Sequence, residues 1–280
     1  MARKETYYEI LTQAISEFVE TGFDSIDRLN FWTERLRRAA EEMSSKSTKR
    51  LEDILRDTLA NVYRRLIEKG ELIDKYHVGV SRFTLARIKP ELRSELDRRI
   101  LASANLIKLN REQAIQKTLQ RFQGWATSIP KGGTEAEKRK KVKDDIRKSM
   151  TKYPFEERRV VIDQSHKLVA SINDIVATNG GAIALIWRSN WRQPNYNYRI
   201  DHKERDGLVY LLDDTWATKA GLVKPGKAGW YKDMTAVAQM PFCRCFAIYL
   251  YSLESLPEEM LTQKGKAFIA EAKLKAAAAA

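Results

Sequence analysis

Cysteine is almost missing from this chain. Its 280 residues contain only two, Cys243 and Cys245. Two cysteines exclude a disulfide framework, and a Cys-x-Cys bridge would close a small, strained ring. Both are therefore expected as thiols in a reducing compartment, structural in role and without metal. Long apolar runs are missing too. None approaches the roughly 20 residues that cross a bilayer, so no membrane contact is expected. The opening MARKETYYEIL holds no apolar signal-peptide core, which predicts a protein made in a cytoplasm. No glycine-rich loop of the Walker or dinucleotide kind occurs. At 43 % hydrophobic residues the chain is nevertheless no disordered segment, and it is long enough for one large core or two ordinary ones.

Charge of one sign is in excess. The formal net charge is +13, and residues 1–155 carry 33 Lys and Arg against 23 Asp and Glu. A basic first half implies a polyanionic neighbour, most simply nucleic acid bound weakly and without sequence preference. The plain alternative is a solvated helix surface, because acids are interleaved with the bases.

Apolar spacing predicts helices over most of the first half. Residues 4–20 place Tyr8, Leu11, Ile15 and Val19 on one face. Asp24-Ser25-Ile26-Asp27 opens a second helix, SSKSTKR interrupts it, and a third runs to Gly70. HVGVSRFTLARI has strand-like alternation, which fits a short hairpin or an extended arm. Pro90 opens a long helix to about Gln123, and Ile129-Pro130-Lys131-Gly132-Gly133 breaks the chain. Thr134–Glu137 reads as a capping box for a short basic helix. Its Lys138, Arg139, Lys140, Lys141 and Lys143 are the candidate DNA contacts. Pro154 opens another helix that ends at Asn179-Gly180-Gly181, with His166 half-buried on it. Three β-compatible runs follow, AIALIWRS, GLVYLL and CFAIYLYS, separated by loops rich in tryptophan. A helix after Pro257 and a frayed AAAAA tail close the chain. The fold class predicted is α+β: an elongated helical region (1–153), a compact mixed domain (154–256), and a C-terminal helix with its tail (257–280).

Two stretches concentrate chemistry: NYNYRIDHKERDG at 195–207 and PFCRCF at 241–246. Three readings stand side by side. His202, Cys243 and Cys245, with Asp201 or Asp206, have the donor types of a zinc site. Asp201, His202, Glu204 and Asp206 have the types of a metal nuclease. Arg199, His202 and Asp206-Gly207 could instead form a hydrogen-bonded brace at the entrance of GLVYLL.

The run Arg199-x-x-His202-x-x-x-Asp206-Gly207, with Trp191 upstream and Cys243-Arg244-Cys245 downstream, resembles the C-terminal domain of phage head morphogenesis proteins. These are the minor head proteins related to protein F of phage Mu. Phe242 stands where that family usually has asparagine, and Asn195 where aspartate is common. The resemblance covers about residues 155–250. It implies a minor capsid protein inside the head of a tailed phage, near the portal. Its role there would be in head assembly, DNA packaging or genome ejection, with no catalytic residues and no cofactor. The partners expected are the portal protein, the major capsid protein and double-stranded DNA. Trp191, Tyr196, Tyr198 and Trp230 are the candidate docking side chains. The alternative function is a DNA-processing enzyme, or a zinc-dependent nucleic-acid-binding protein, using Asp201, His202, Cys243 and Cys245.

Overall fold

A computed structural model describes residues 5–71, 77, 79–132 and 136–279. Within these, the side chains of residues 46–51, 136–138 and 279 are left aside. The fold is α+β, with a long helical first half, a small three-stranded sheet and a C-terminal helix. The chain divides into two compact units that do not follow chain order. One comprises residues 1–57 and 100–161, the other 58–99 and 162–280. The expected boundaries at 153 and 256 are not where these units part.

The first unit is helical. Helix α1 (Tyr7–Thr21) starts at a capping box in which Thr6 and Glu9 satisfy each other's backbone N–H groups. Its Leu11, Ile15 and Phe18 are buried against Trp32 and Leu36 of α2 (Ile26–Tyr63). The same core takes Leu119 and Phe122 of α3 (Arg82–Ser128), and Ile146 and Met150 of α4 (Ala136–Asn179). Phe18 and Phe122 meet edge to face, with ring centroids 5.8 Å apart. A buried ion pair joins Arg111 of α3 to Glu157 of α4, and Arg111 also donates to the Ser44 carbonyl of α2 at 3.0 Å.

Four expectations of the first half are corrected. SSKSTKR does not interrupt: α2 runs through it to Tyr63 and ends in a π-helical turn, Arg64–Glu68. Ser44 and Ser45 donate back to the carbonyls of Glu41 and Glu42, so their hydroxyls find partners inside the helix. HVGVSRFTLARI is not a hairpin. Ser81 accepts the Thr84 N–H at 3.1 Å and α3 begins at Arg82. Pro90 and Pro154 do not open helices but lie inside α3 and α4. Both prolines are exposed, while Ile88, Leu92, Tyr153 and Glu157 beside them are buried. Packing of that inner face offsets the roughly 3 kcal/mol that an interior proline costs. The capping box at Thr134 and Glu135 lies outside the described residues.

The second unit holds the three strands where the sequence predicts them: β1 (Ala184–Arg188), β2 (Val209–Leu211) and β3 (Phe246–Leu250). They form an antiparallel sheet in the order β2-β1-β3. Leu185 pairs with Tyr210 and Tyr249, and Ala184 with Leu211 and Leu250. Period-two alternation sends Leu185 and Trp187 into one core, shared with Cys243 and Cys245. Ala184 goes into another, shared with Leu222, Leu256 and Met260. Tyr249 donates to Asp174 of α4 at 3.0 Å. The C-terminal helix (Gln263–Ala279) continues through most of the alanine tail.

Candidate functional site

Between β1 and β2 the chain makes one short helix, α5 (Ile200–Glu204). Arg199 precedes it in extended conformation, and its carbonyl accepts the Lys203 N–H at 3.1 Å. After it the chain must return to β1 at once. Gly207 does this with φ +85, and its N–H donates to the Trp187 carbonyl at 2.8 Å. A side chain in that left-handed region would be strained. The turn places Asp206 beside the end of β1. One carboxylate oxygen accepts the Ser189 N–H and the other the Trp191 indole N–H, both at 3.0 Å. Partial burial opposes the Asp206 charge. These two hydrogen bonds, with Arg192 and Arg188 nearby, outweigh it and hold the carboxyl below its usual range.

Helix α5 turns His202 inward. The ring is 4 % exposed and lies edge-on to Trp187, with centroids 5.3 Å apart. PFCRCF comes to the same place from the other side of the chain. Its loop carries left-handed residues at Ala238 and Phe242 (φ +62 and +58). Several groups hold it. Asp163 of α4 accepts the Phe242 N–H at 2.6 Å, and Tyr196 Oη accepts the Arg244 N–H at 3.0 Å. Asn190 donates to the Arg244 carbonyl at 2.9 Å, and Arg199 to the Pro241 carbonyl at 3.0 Å. Held in this way, both thiols point at the histidine. His202 Nδ1 lies 3.4 Å from Cys243 Sγ and 3.4 Å from Cys245 Sγ.

The two thiols are inequivalent. Cys245 donates to Cys243, which with the Cys245 N–H and the neighbouring imidazole lowers Cys243 to about 5 although burial opposes this. Cys245 moves the other way, far above an ordinary thiol, because its proton is held by Cys243 and burial penalises its charge. Both cysteines are free thiols. At 2 and 4 % exposed they are closed to a bulky substrate, so the low value at Cys243 does not by itself make it a nucleophile.

Comparisons with protein-family models, curated proteins and solved structures return no match. The geometry therefore carries the functional argument.

The zinc donors His202, Cys243 and Cys245 come together, with their ligand atoms all within 4.8 Å of one another. Asp201 and Asp206 do not join them. Asp201 is exposed and pairs with Arg205 at 3.0 Å, and both oxygens of Asp206 are engaged elsewhere. For the same reason the nuclease set does not converge, and Glu204 is exposed. The brace residues do meet: Arg199, Asp206, Gly207 and Arg244 each tie one loop to another. Arg244 also donates to Gln193 at 3.1 Å and lies over the Tyr196 ring at 5.3 Å. Trp191 is half-buried, with Arg192 and Lys203 over its ring at 4.3 and 4.6 Å and Tyr198 at its edge. Trp230 packs against the second core of the unit.

In the basic stretch, Arg139, Lys140 and Lys141 are exposed, and Lys143 donates to Thr12 at 2.5 Å. The Lys138 side chain lies outside the described residues. His166 is exposed rather than half-buried, because the inner face of α4 there is formed by Asp163, Gln164 and Leu168. Sequence reasoning missed Asp163, which is buried, paired with Lys167 at 2.7 Å and bonded to the PFCRCF loop. Its only signal was an i,i+4 acid–base pair in an otherwise apolar stripe.

Proposed function

We propose that this protein is a minor head protein of a tailed phage. It sits inside the head near the portal, in far fewer copies than the major capsid protein, and acts in head assembly, DNA packaging or ejection without catalysing a reaction. One observation carries the reading. The motif residues that resemble the Mu F-type domain are scattered over 199–207 and 243–245, yet they form one connected knot of hydrogen bonds and buried sulfurs. A motif whose members brace each other is what a rigid docking module needs. The Trp191–Tyr198 edge, half-buried at Trp191 and exposed at Tyr198, is flanked by Arg192 and Lys203 and supplies the aromatic and cationic anchors typical of interfaces. The partners on this reading are the portal protein, the major capsid protein and, through the basic helical stretch, packaged double-stranded DNA.

Quantitative mass spectrometry of purified virions, paired with a portal pull-down, tests it. The expected result is a virion protein at a small fraction of the major capsid protein's copy number that is retained by the portal. Absence from both virions and proheads sinks the reading.

A further inference from the structure

The His202–Cys243–Cys245 cluster has a geometry that a brace does not require. A brace needs only pairs of groups at hydrogen-bond distance, whereas these three donors also converge on one point. Nδ1 is 3.4 Å from each sulfur. A tetrahedral angle between a Zn–N bond of about 2.05 Å and a Zn–S bond of about 2.3 Å separates nitrogen from sulfur by about 3.6 Å. The match arises from residues 41 and 43 positions apart, brought together by two separately anchored loops.

We propose that His202 Nδ1, Cys243 Sγ and Cys245 Sγ bind one zinc-class divalent cation. Two thiolates and a neutral imidazole around a divalent cation give a complex of zero net charge, which suits a site whose three residues are all buried. Each cysteine that enters the complex as a thiol releases its proton to solvent. Among the described residues no fourth His, Cys, Asp or Glu completes the set, so a solvent oxygen takes the remaining position.

Three hydrogen-bond donors face the two sulfurs. The Cys245 N–H points at Cys243 Sγ at 3.5 Å. The Trp187 indole N–H and the Ser189 hydroxyl are buried without a well-formed hydrogen bond, and both lie against the Cys245 sulfur. Metal-bound thiolate, which keeps its charge, gives each of them an acceptor. On the far side of the ring, Asp201 Oδ2 lies 3.7 Å from His202 Nε2. A carboxylate there favours the tautomer with hydrogen on Nε2, leaving the Nδ1 lone pair free for the cation. This inference departs from the metal-free thiols expected from the Cys-x-Cys spacing, because the third ligand is supplied by a different loop. It does not depend on the head-protein reading.

The test uses the full chain, reduced and stripped with a chelator, then titrated with cobalt(II). The expected result is one cobalt per chain, seen as sulfur-to-cobalt charge-transfer and tetrahedral ligand-field absorption, displaced by one equivalent of zinc. His202→Asn should weaken zinc binding by more than the roughly 10–100-fold that a lost outer-shell partner costs. Thiol labelling of the wild-type chain covers the case in which variants do not fold: bound zinc should slow modification of both cysteines, and chelator should restore it. Absence of the charge-transfer band in the folded chain at excess cobalt, together with labelling unchanged by zinc, overturns the proposal.

Discussion

Phe242 holds a conformation that its side chain disfavours. Its φ of +58 lies in the left-handed region, where asparagine and glycine are at ease and a bulky aromatic is not. The Asp163 carboxylate keeps the turn in place through the backbone N–H, and the aromatic ring is 39 % exposed. Phe242→Asn should therefore raise stability by about 1 kcal/mol in denaturant unfolding. A lower midpoint would mean that the ring's contacts outweigh the backbone strain. Asp206 makes the opposite case, a side chain whose charge is used twice. Asp206→Asn keeps at most one of the two acceptor contacts and should cost about 1–3 kcal/mol at neutral pH. The folded carboxyl sits below its ordinary range. Its contribution is thus fully present above the unfolded value, near 4, and is lost as pH falls through the lower folded value. The stability gap between wild type and variant should narrow over that acid window. A gap that stays constant to pH 2 would show that the hydrogen bonds do not depend on the charge.

The helices of the first unit are held by more than an apolar stripe. Arg111 of α3 and Glu157 of α4 are both about 5 % exposed at the side chain, and Arg111 also reaches the Ser44 carbonyl of α2 and lies over the Tyr153 ring at 5.8 Å. One guanidinium thus joins three helices. Removing one member leaves the other charge buried, so Glu157→Leu or Arg111→Met alone should cost about 3–5 kcal/mol. The double variant should be less destabilised than the sum of the singles, because no charge is then stranded. Thermal or denaturant unfolding of the four proteins closes this cycle. Additive losses would show that the pair is not coupled.

For the whole molecule, the uneven charge is the property that reaches furthest. Arg139, Lys140 and Lys141 are exposed on the basic stretch. The full chain should bind double-stranded DNA weakly and lose affinity steeply as salt rises, since each neutralised phosphate releases a counterion. Reversing these three residues to glutamate should lower the slope of log affinity against log salt by about 3. No binding by the full chain even at low salt would assign the charge to a protein partner instead.

The α+β class, the three strands and α1 were legible because period-two and period-3.6 apolar patterns report directly which face a residue buries. The site's residue types were legible as well: histidine, aspartate-glycine and Cys-x-Cys stand out in a chain with few of each. Local signals failed where they had to be weighed against packing. Serine, threonine and proline argue for helix ends, but α2, α3 and α4 run through them because a buried face outweighs a local cost of a few kcal/mol. Whether Asp201 or Asp206 joins the sulfurs depends on which way a five-residue helix and its glycine turn face, a long-range matter that spacing does not encode. Sequence by itself determined which groups could do chemistry. Only the tertiary structure decided that His202 meets Cys243 and Cys245 while the carboxylates turn to Arg205, Ser189 and Trp191, because that meeting is set by loops anchored from α4, α5 and the end of β1.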